Sequence, residues 1–235
     1  MIQNHNPYAR PSQLGVRPAT ELASAFLTQA FAWMFVGLLV TAGISFVVQG
    51  SPQLLDFASQ WILPIFLLQL GLVIGISAAI RRISATAALG LFFVYAASVG
   101  LTVGLLLSVY NIGSVTQAFL SASAMFGAAA IYGATTKRSL ASLGGVLFMG
   151  LIGLIVASVL NIFLGSSMLS LVISIIGIVI FTGLTAYDVQ RIQSGDYAAM
   201  VGSMEKAAVI GALHLYLNFI NLFLFFLRLF GGSRN

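Results

Sequence analysis

The chain has 235 residues, of which 60% are apolar and only 6% charged. Soluble domains carry about 25% charged residues, so this chain cannot cover itself with a water-compatible surface, and it reads as an all-α polytopic membrane protein. Ten Lys and Arg against five Asp and Glu give a net charge of +5. In such a chain that excess is a topology signal, not a footprint for nucleic acid. The absence of cysteine excludes disulfides, thiolate metal sites and thiol catalysis.

The first twenty residues, MIQNHNPYARPSQLGVRPAT, are polar and hold three prolines. Residues 1–21 are expected to form a flexible cytoplasmic tail. The first apolar stretch comes late and is of full spanning length, so it does not read as a cleaved signal. Seven apolar segments then follow, roughly 26–48, 58–80, 84–109, 115–135, 140–163, 168–190 and 207–230. Together they make residues 22–231 one transmembrane domain, with 232–235 a short C-terminal tail. Linkers such as Gln49-Gly50-Ser51-Pro52, Asn111-Ile112-Gly113 and Gly165-Ser166-Ser167 carry turn chemistry and are short, so neighbouring helices are expected to be antiparallel.

Positive residues sort to alternate linkers. Arg10 and Arg17 precede the first span, Arg81 and Arg82 follow the second, Lys137 and Arg138 the fourth, and Arg191 and Lys206 flank the linker after the sixth. This places the N-terminus in the cytoplasm. Arg228 and Arg234 oppose it, so the last segment either crosses with its arginine paired in the bundle or re-enters. The third to fifth spans are dense in Gly90, Gly100, Gly104, Gly127, Gly133, Gly144, Gly145, Gly150 and Gly153. Small faces let helix backbones approach closely in lipid.

The last segment carries a stripe. Ala207, Gly211, His214, Asn218, Asn221, Phe225 and Arg228 are spaced alternately four and three apart, which traces one helical face. An unpartnered Asn in hydrocarbon costs several kcal/mol, so this face is expected to look inward and the last helix to be central. Asn218 and Asn221 fit either interhelical hydrogen bonds or a hydrated path, and His214 either a satisfied bundle histidine or a pH-responsive one. In the sixth span Ser170, Ser174, Gly177, Thr185 and Asp188 fall near one face. Asp188 is the acid best placed at membrane depth and hence a functional candidate; the plainer alternative is an interfacial Asp paired with Arg191 or an inner-loop arginine. Gln69, in mid-span, makes either a structural hydrogen bond or a contact with Arg228.

GLTAYDVQRI followed by LHLYLNFINLFLFFLRLFG resembles the signature of the Bax inhibitor-1 family, the transmembrane Bax-inhibitor-motif proteins, and MFGAAAIYGATTKRSL resembles its bacterial inner-membrane branch. The likeness covers about residues 22 to 231. It implies a seven-helix bundle with the last helix at its centre and a pH-sensitive Ca²⁺ leak gated by two aspartates near the cytoplasmic side. The first aspartate falls on Asp188, making it a weak Ca²⁺ candidate. The second falls on Asn218, where this sequence departs. Arg81 or Arg82 matches a latch onto the first aspartate. A Glu–Arg pair found in some members becomes Gln69 and Arg228.

Two adjacent carboxylates repel and can share a proton; an Asn cannot ionise, but its NH₂ can donate to a carboxylate. The substitution also removes a charged ligand for Ca²⁺, so the expected leak is weaker for Ca²⁺ and gated at lower pH than in relatives with both aspartates. Straight helices with the drawn boundaries put Asp188 and Asn218 about 12 Å apart in depth. Pairing therefore requires the sixth helix to run past the acyl core or the seventh to sit lower.

No catalytic residue is expected. Ser166 and Ser167 lie in an outer linker while His214 lies on the inner half of its helix, which separates a serine nucleophile from a base. A retinal pigment would need a lysine in the last helix, and Lys137 and Lys206 lie at linkers. The remaining alternative is a regulator without transport, because the bacterial branch resembles modulators or substrates of the membrane-bound AAA protease and its eukaryotic relatives restrain cell death. Expected partners are the lipid bilayer, Ca²⁺ or another cation, and such a protease. No cofactor is expected beyond transient Ca²⁺.

Overall fold

The structure is a computed structural model and describes residues 20–231. Arg10, Arg17 and Arg234, read above as topology signals, lie outside the described residues. Within them the chain forms helices α1 (Thr20–Gln49), α2 (Pro52–Gln60), α3 (Ile62–Ala79), α4 (Ala85–Leu107), α5 (Ile112–Thr135), α6 (Ala141–Leu164), α7 (Ser167–Gln193), α8 (Asp196–Val201) and α9 (Met204–Phe230). All but α2 and α8 are long and apolar enough to cross a membrane.

Side-chain oxygens set where most of these helices start. Ser51, Ser84, Asn111, Ser166 and Ser203 are N-caps that accept from the backbone N–H three residues on, satisfying donors that helices leave orphaned. The second expected span differs from its prediction. Pro64 has no N–H to give the Gln60 carbonyl, and the helix breaks at Trp61, whose φ of −101° and ψ of 16° are not helical. The result is a short amphipathic α2 followed by the spanning α3. The linker after the sixth span also holds structure not foreseen, the six-residue α8.

α9 is the axis. It packs against α7, α1 and α5, and also meets α4 and α8, whereas α3 lies on α4 and α6 on α7. Thr41 Oγ1 donates to the Ala96 carbonyl at 2.8 Å and Ser45 Oγ to the Gly100 carbonyl at 3.0 Å, tying α1 to α4. Close approach there needs Gly100 and Gly104, because a Cβ at either would lie 3.0 Å from a carbonyl oxygen of α1. The tightest crossing is α5 on α7, where a Cβ on Gly133 would sit 2.3 Å from the Ala186 carbonyl oxygen. The expected role of the small residues holds only in part. Gly90, Gly127, Gly145 and Gly153 would meet nothing within 4 Å, so their faces do not serve helix packing among the described residues.

Candidate functional site

Asp188 is 4% exposed on α7. Its Oδ2 accepts from Asn218 Nδ2 at 2.8 Å, and its Oδ1 accepts from the Tyr197 hydroxyl at 2.7 Å. His214 Nδ1 lies 2.8 Å from the same hydroxyl and 3.5 Å from Oδ1. A phenol has one proton. If Tyr197 donates it to Asp188, His214 Nδ1 must carry a hydrogen and donate to the phenol oxygen. The chain of donors then runs from a histidine whose side chain is 35% exposed, through a tyrosine, to an enclosed carboxylate.

Local structure explains how these groups meet. His214 and Asn218 are one turn apart on α9 and share a face. Tyr197 is delivered by α8, which is bracketed by Gly195 and Gly202 at φ of 78° and 71°, a region that L side chains avoid. Both reversals are needed to fold six residues back beneath the ends of α7 and α9. Tyr197 is 1% exposed, and the Arg191 guanidinium lies over its ring at 4.5 Å and over that of Tyr187 at 5.4 Å. Burial first, and then the neighbouring Asp188 charge, hold the Tyr197 phenol well above its ordinary range, so it acts as a neutral donor at physiological pH.

The depth mismatch between Asp188 and Asn218 disappears because both helices exceed their predicted bounds. α7 continues unbroken to Gln193 and α9 starts at Met204. The alternative pairing of Asp188 with Arg191 is not made, since Arg191 stacks on the two tyrosines instead. Among the described residues the only contact of salt-bridge length is that between His214 and Asp188.

Other predicted site residues lie elsewhere. Asn221 donates back to the Leu217 carbonyl of its own helix at 2.8 Å. Arg81 Nε donates to the Met200 carbonyl at 2.9 Å, and Lys206 Nζ to the Arg81 carbonyl at 3.2 Å. Of the two arginines expected as a latch on Asp188, Arg81 thus fastens the end of α3 to α8, the strap that carries Tyr197. Arg82 is exposed. Gln69 and Arg228 do not pair. The Gln69 amide is spent on α4, donating to the Ser98 carbonyl at 3.0 Å and Thr102 Oγ1 at 2.7 Å, while the Arg228 guanidinium lies 5.9 Å from the Phe225 ring centre. Between Ala207 and Arg228 the positions of α9 that are not buried, His214, Leu217, Asn221, Leu224 and Arg228, form one face beside the Asn218 line. Among the described residues no three His, Cys, Asp or Glu side chains group as a metal site. Asp188 supplies one carboxylate, below what a tight Ca²⁺ site collects.

Sequence reasoning missed Tyr197 and the bridging position of Arg191. The two glycines enclosing DYAAMV were the available signal.

A family model described as "Inhibitor of apoptosis-promoting Bax1" matches residues 23–235. Inner membrane protein YbhL of Escherichia coli is 39% identical over 225 residues, covering 93% of this chain and 96% of the relative. An uncharacterized protein of Deinococcus radiodurans is 40% identical over 211 residues, 89% of this chain and 91% of the relative. An uncharacterized membrane protein of Streptococcus pyogenes is 45% identical over 168 residues, 71% and 72% of the two chains.

Proposed function

The chain belongs to the Bax inhibitor-1 family of integral membrane proteins, and on that premise we propose that it is a pH-sensitive leak for cations, Ca²⁺ among them, across the bacterial inner membrane, with its N-terminus cytoplasmic and Asp188 as its gate. The observation that supports the reading is the enclosed carboxylate of Asp188, closed in by Asn218, Tyr197 and His214 with no lysine or arginine in ion-pair range among the described residues. A buried carboxylate with no permanent cation is costly to maintain. Such a group at membrane depth is a functional-site hypothesis by default.

In this arrangement the gate is shut, because both Asp188 oxygens are engaged. Opening requires the Tyr197 hydroxyl to leave, which moves α8. A bare carboxylate then offers a single negative charge to a cation near the half-exposed His214 and Asn221 face. Arg81 and Lys206 restrain that motion by holding α3, α8 and the start of α9 together. Protons act at Asp188, where a hydrogen on either oxygen cancels the attraction for a cation and conflicts with one of the donors.

Ca²⁺ entry into proteoliposomes across pH 5–8 tests this. Asp188→Asn should lose most of the flux and its pH dependence. Asn218→Asp should raise Ca²⁺ flux and move the pH response to higher pH, because it restores a second carboxylate that can share a proton with the first. Equal flux curves for the wild type and Asp188→Asn would sink the reading.

A further inference from the structure

A second polar site lies at the Asp188 end of α7, the side that the basic linkers mark as cytoplasmic. A cavity of about 240 Å³ is lined by Lys137, Arg138 and Ser139 of the α5–α6 turn and by Tyr187, Gln190, Arg191, Ser194 and Asp196 from α7 to the start of α8. We propose that this cavity binds a phosphate group, that of an acidic phospholipid headgroup or of free phosphate.

The charge balance points that way. Three cations line the cavity against one carboxylate, Asp196, and none of them makes an ion pair among the described residues. The Tyr187 and Ser139 hydroxyls add uncharged donors. Arginine forks suit phosphate oxygens, and a basic pocket between spans at the cytoplasmic surface faces anionic lipid.

The pocket is built, not a chance cluster of mobile chains. The Gln190 amide clamps the α5–α6 turn to α7 at two points: its Oε1 accepts from the Leu140 N–H at 2.7 Å, and its Nε2 donates to the Arg138 carbonyl at 2.9 Å. Arg191 is held over the rings of Tyr187 and Tyr197. The Tyr187 ring is in turn seated against Gly144, where any Cβ would come within 2.5 Å of it. The volume is below the roughly 300–1,000 Å³ of clefts that enclose drug-sized ligands, which favours a small anion over a nucleotide. The site stands apart from the leak reading, since none of its geometry depends on Asp188 being a gate. It does touch that region, because Arg191 contacts both the cavity and Tyr197.

The purified full chain in detergent, titrated with short-chain phosphatidylglycerol, phosphatidylcholine and inorganic phosphate and read by native mass spectrometry, tests this. Phosphatidylglycerol should bind in preference to phosphatidylcholine. The double variant Lys137→Gln/Arg138→Gln should weaken that binding roughly 25-fold, at about fivefold per surface charge. Asp196→Asn should strengthen it about fivefold, a gain that misfolding cannot mimic. Competition by phosphate supports the proposal with free phosphate as a ligand, whereas lipid binding that phosphate does not displace supports it with the lipid as the source. Phosphatidylglycerol binding that is absent, equal to that of phosphatidylcholine, or unchanged in Asp196→Asn overturns it.

Discussion

Helices α6 and α9 are both apolar enough to cross a membrane, yet they occupy opposite surroundings. α6 is the more hydrophobic, with a mean hydropathy of 2.5 against 1.8, and 6% of its spanning stretch is buried against 78% for α9. In water that order would be reversed. In lipid an acyl chain solvates a leucine as well as a neighbouring helix does, so hydrophobicity gives no drive inward. Hydrogen bonding and close backbone approach decide which helix becomes the axis. α9 carries His214, Asn218 and Asn221 in mid-span, together with the small residues Ala207, Ala208, Gly211 and Ala212. The one amide of α6, Asn161, lies near its end and is satisfied locally, donating to Ser170 Oγ at 2.7 Å and accepting from the Ser166 N–H at 3.2 Å.

Small residues offer the hardest test of that contrast, because a glycine looks the same on either kind of helix. Gly133→Val on α5 drives a side chain into the backbone of α7 beside Asp188, where the Ala186 carbonyl cannot give way. The expected loss is about 3 kcal/mol, the upper end for overpacking. Gly153→Val on α6 meets nothing within 4 Å and should change stability by less than about 0.5 kcal/mol. Thermal unfolding of the two purified variants in one detergent measures both, and equal shifts would break the comparison.

A middle-sized effect is expected at the link between α8 and α9. Tyr197→Phe deletes a hydroxyl that serves both Asp188 and His214 and leaves a buried acceptor short of a donor, at a cost of about 2 kcal/mol. The same substitution has a pH signature. The folded state holds the phenol proton more tightly than the unfolded chain, whose tyrosine ionises near pH 10. The linked stability is therefore complete below about pH 10 and is lost above it. Unfolding at pH 8 and pH 11 should show a smaller alkaline loss in Tyr197→Phe than in the wild type. Parallel losses would mean that the phenol is not held in the enclosed site seen here.

How much of this was legible in the sequence follows the same physics. The central helix could be read because polar residues at alternating steps of four and three are expensive in lipid, and Asp188 because an acid at that depth is rare. The partnership of Asp188 with Asn218 could be named from the family likeness, but its geometry could not, since a few residues of helix extension at Gln193 and Met204 decide whether two groups meet. Tyr197 was hidden in an apparent linker, because six residues are too few to show a helical period. The glycines do not form one class. Composition marks a small face but not which neighbour, helix or lipid, lies against it, and Gly133 and Gly153 differ only in that.

A smaller loss than at Gly133 or Tyr197 is expected on α3, which is like α6 in facing lipid, with 11% of its span buried, but differs in carrying one mid-span amide. If polarity holds a helix in place, Gln69 is what holds α3 on α4. Its two acceptors do not depend on it, however. The Ser98 carbonyl already accepts from Thr102 Oγ1, at 3.5 Å, and that hydroxyl keeps this bond when the amide is gone. Gln69→Leu therefore orphans nothing and forfeits only its own two bonds, about 0.6 kcal/mol each in membrane bundles, so the loss should be near 1 kcal/mol. A loss near 3 kcal/mol would mean that α3 is held by that amide alone. No loss at all would mean that side-chain packing suffices even for an outer helix, and the rule drawn from α9 would then hold only at the axis.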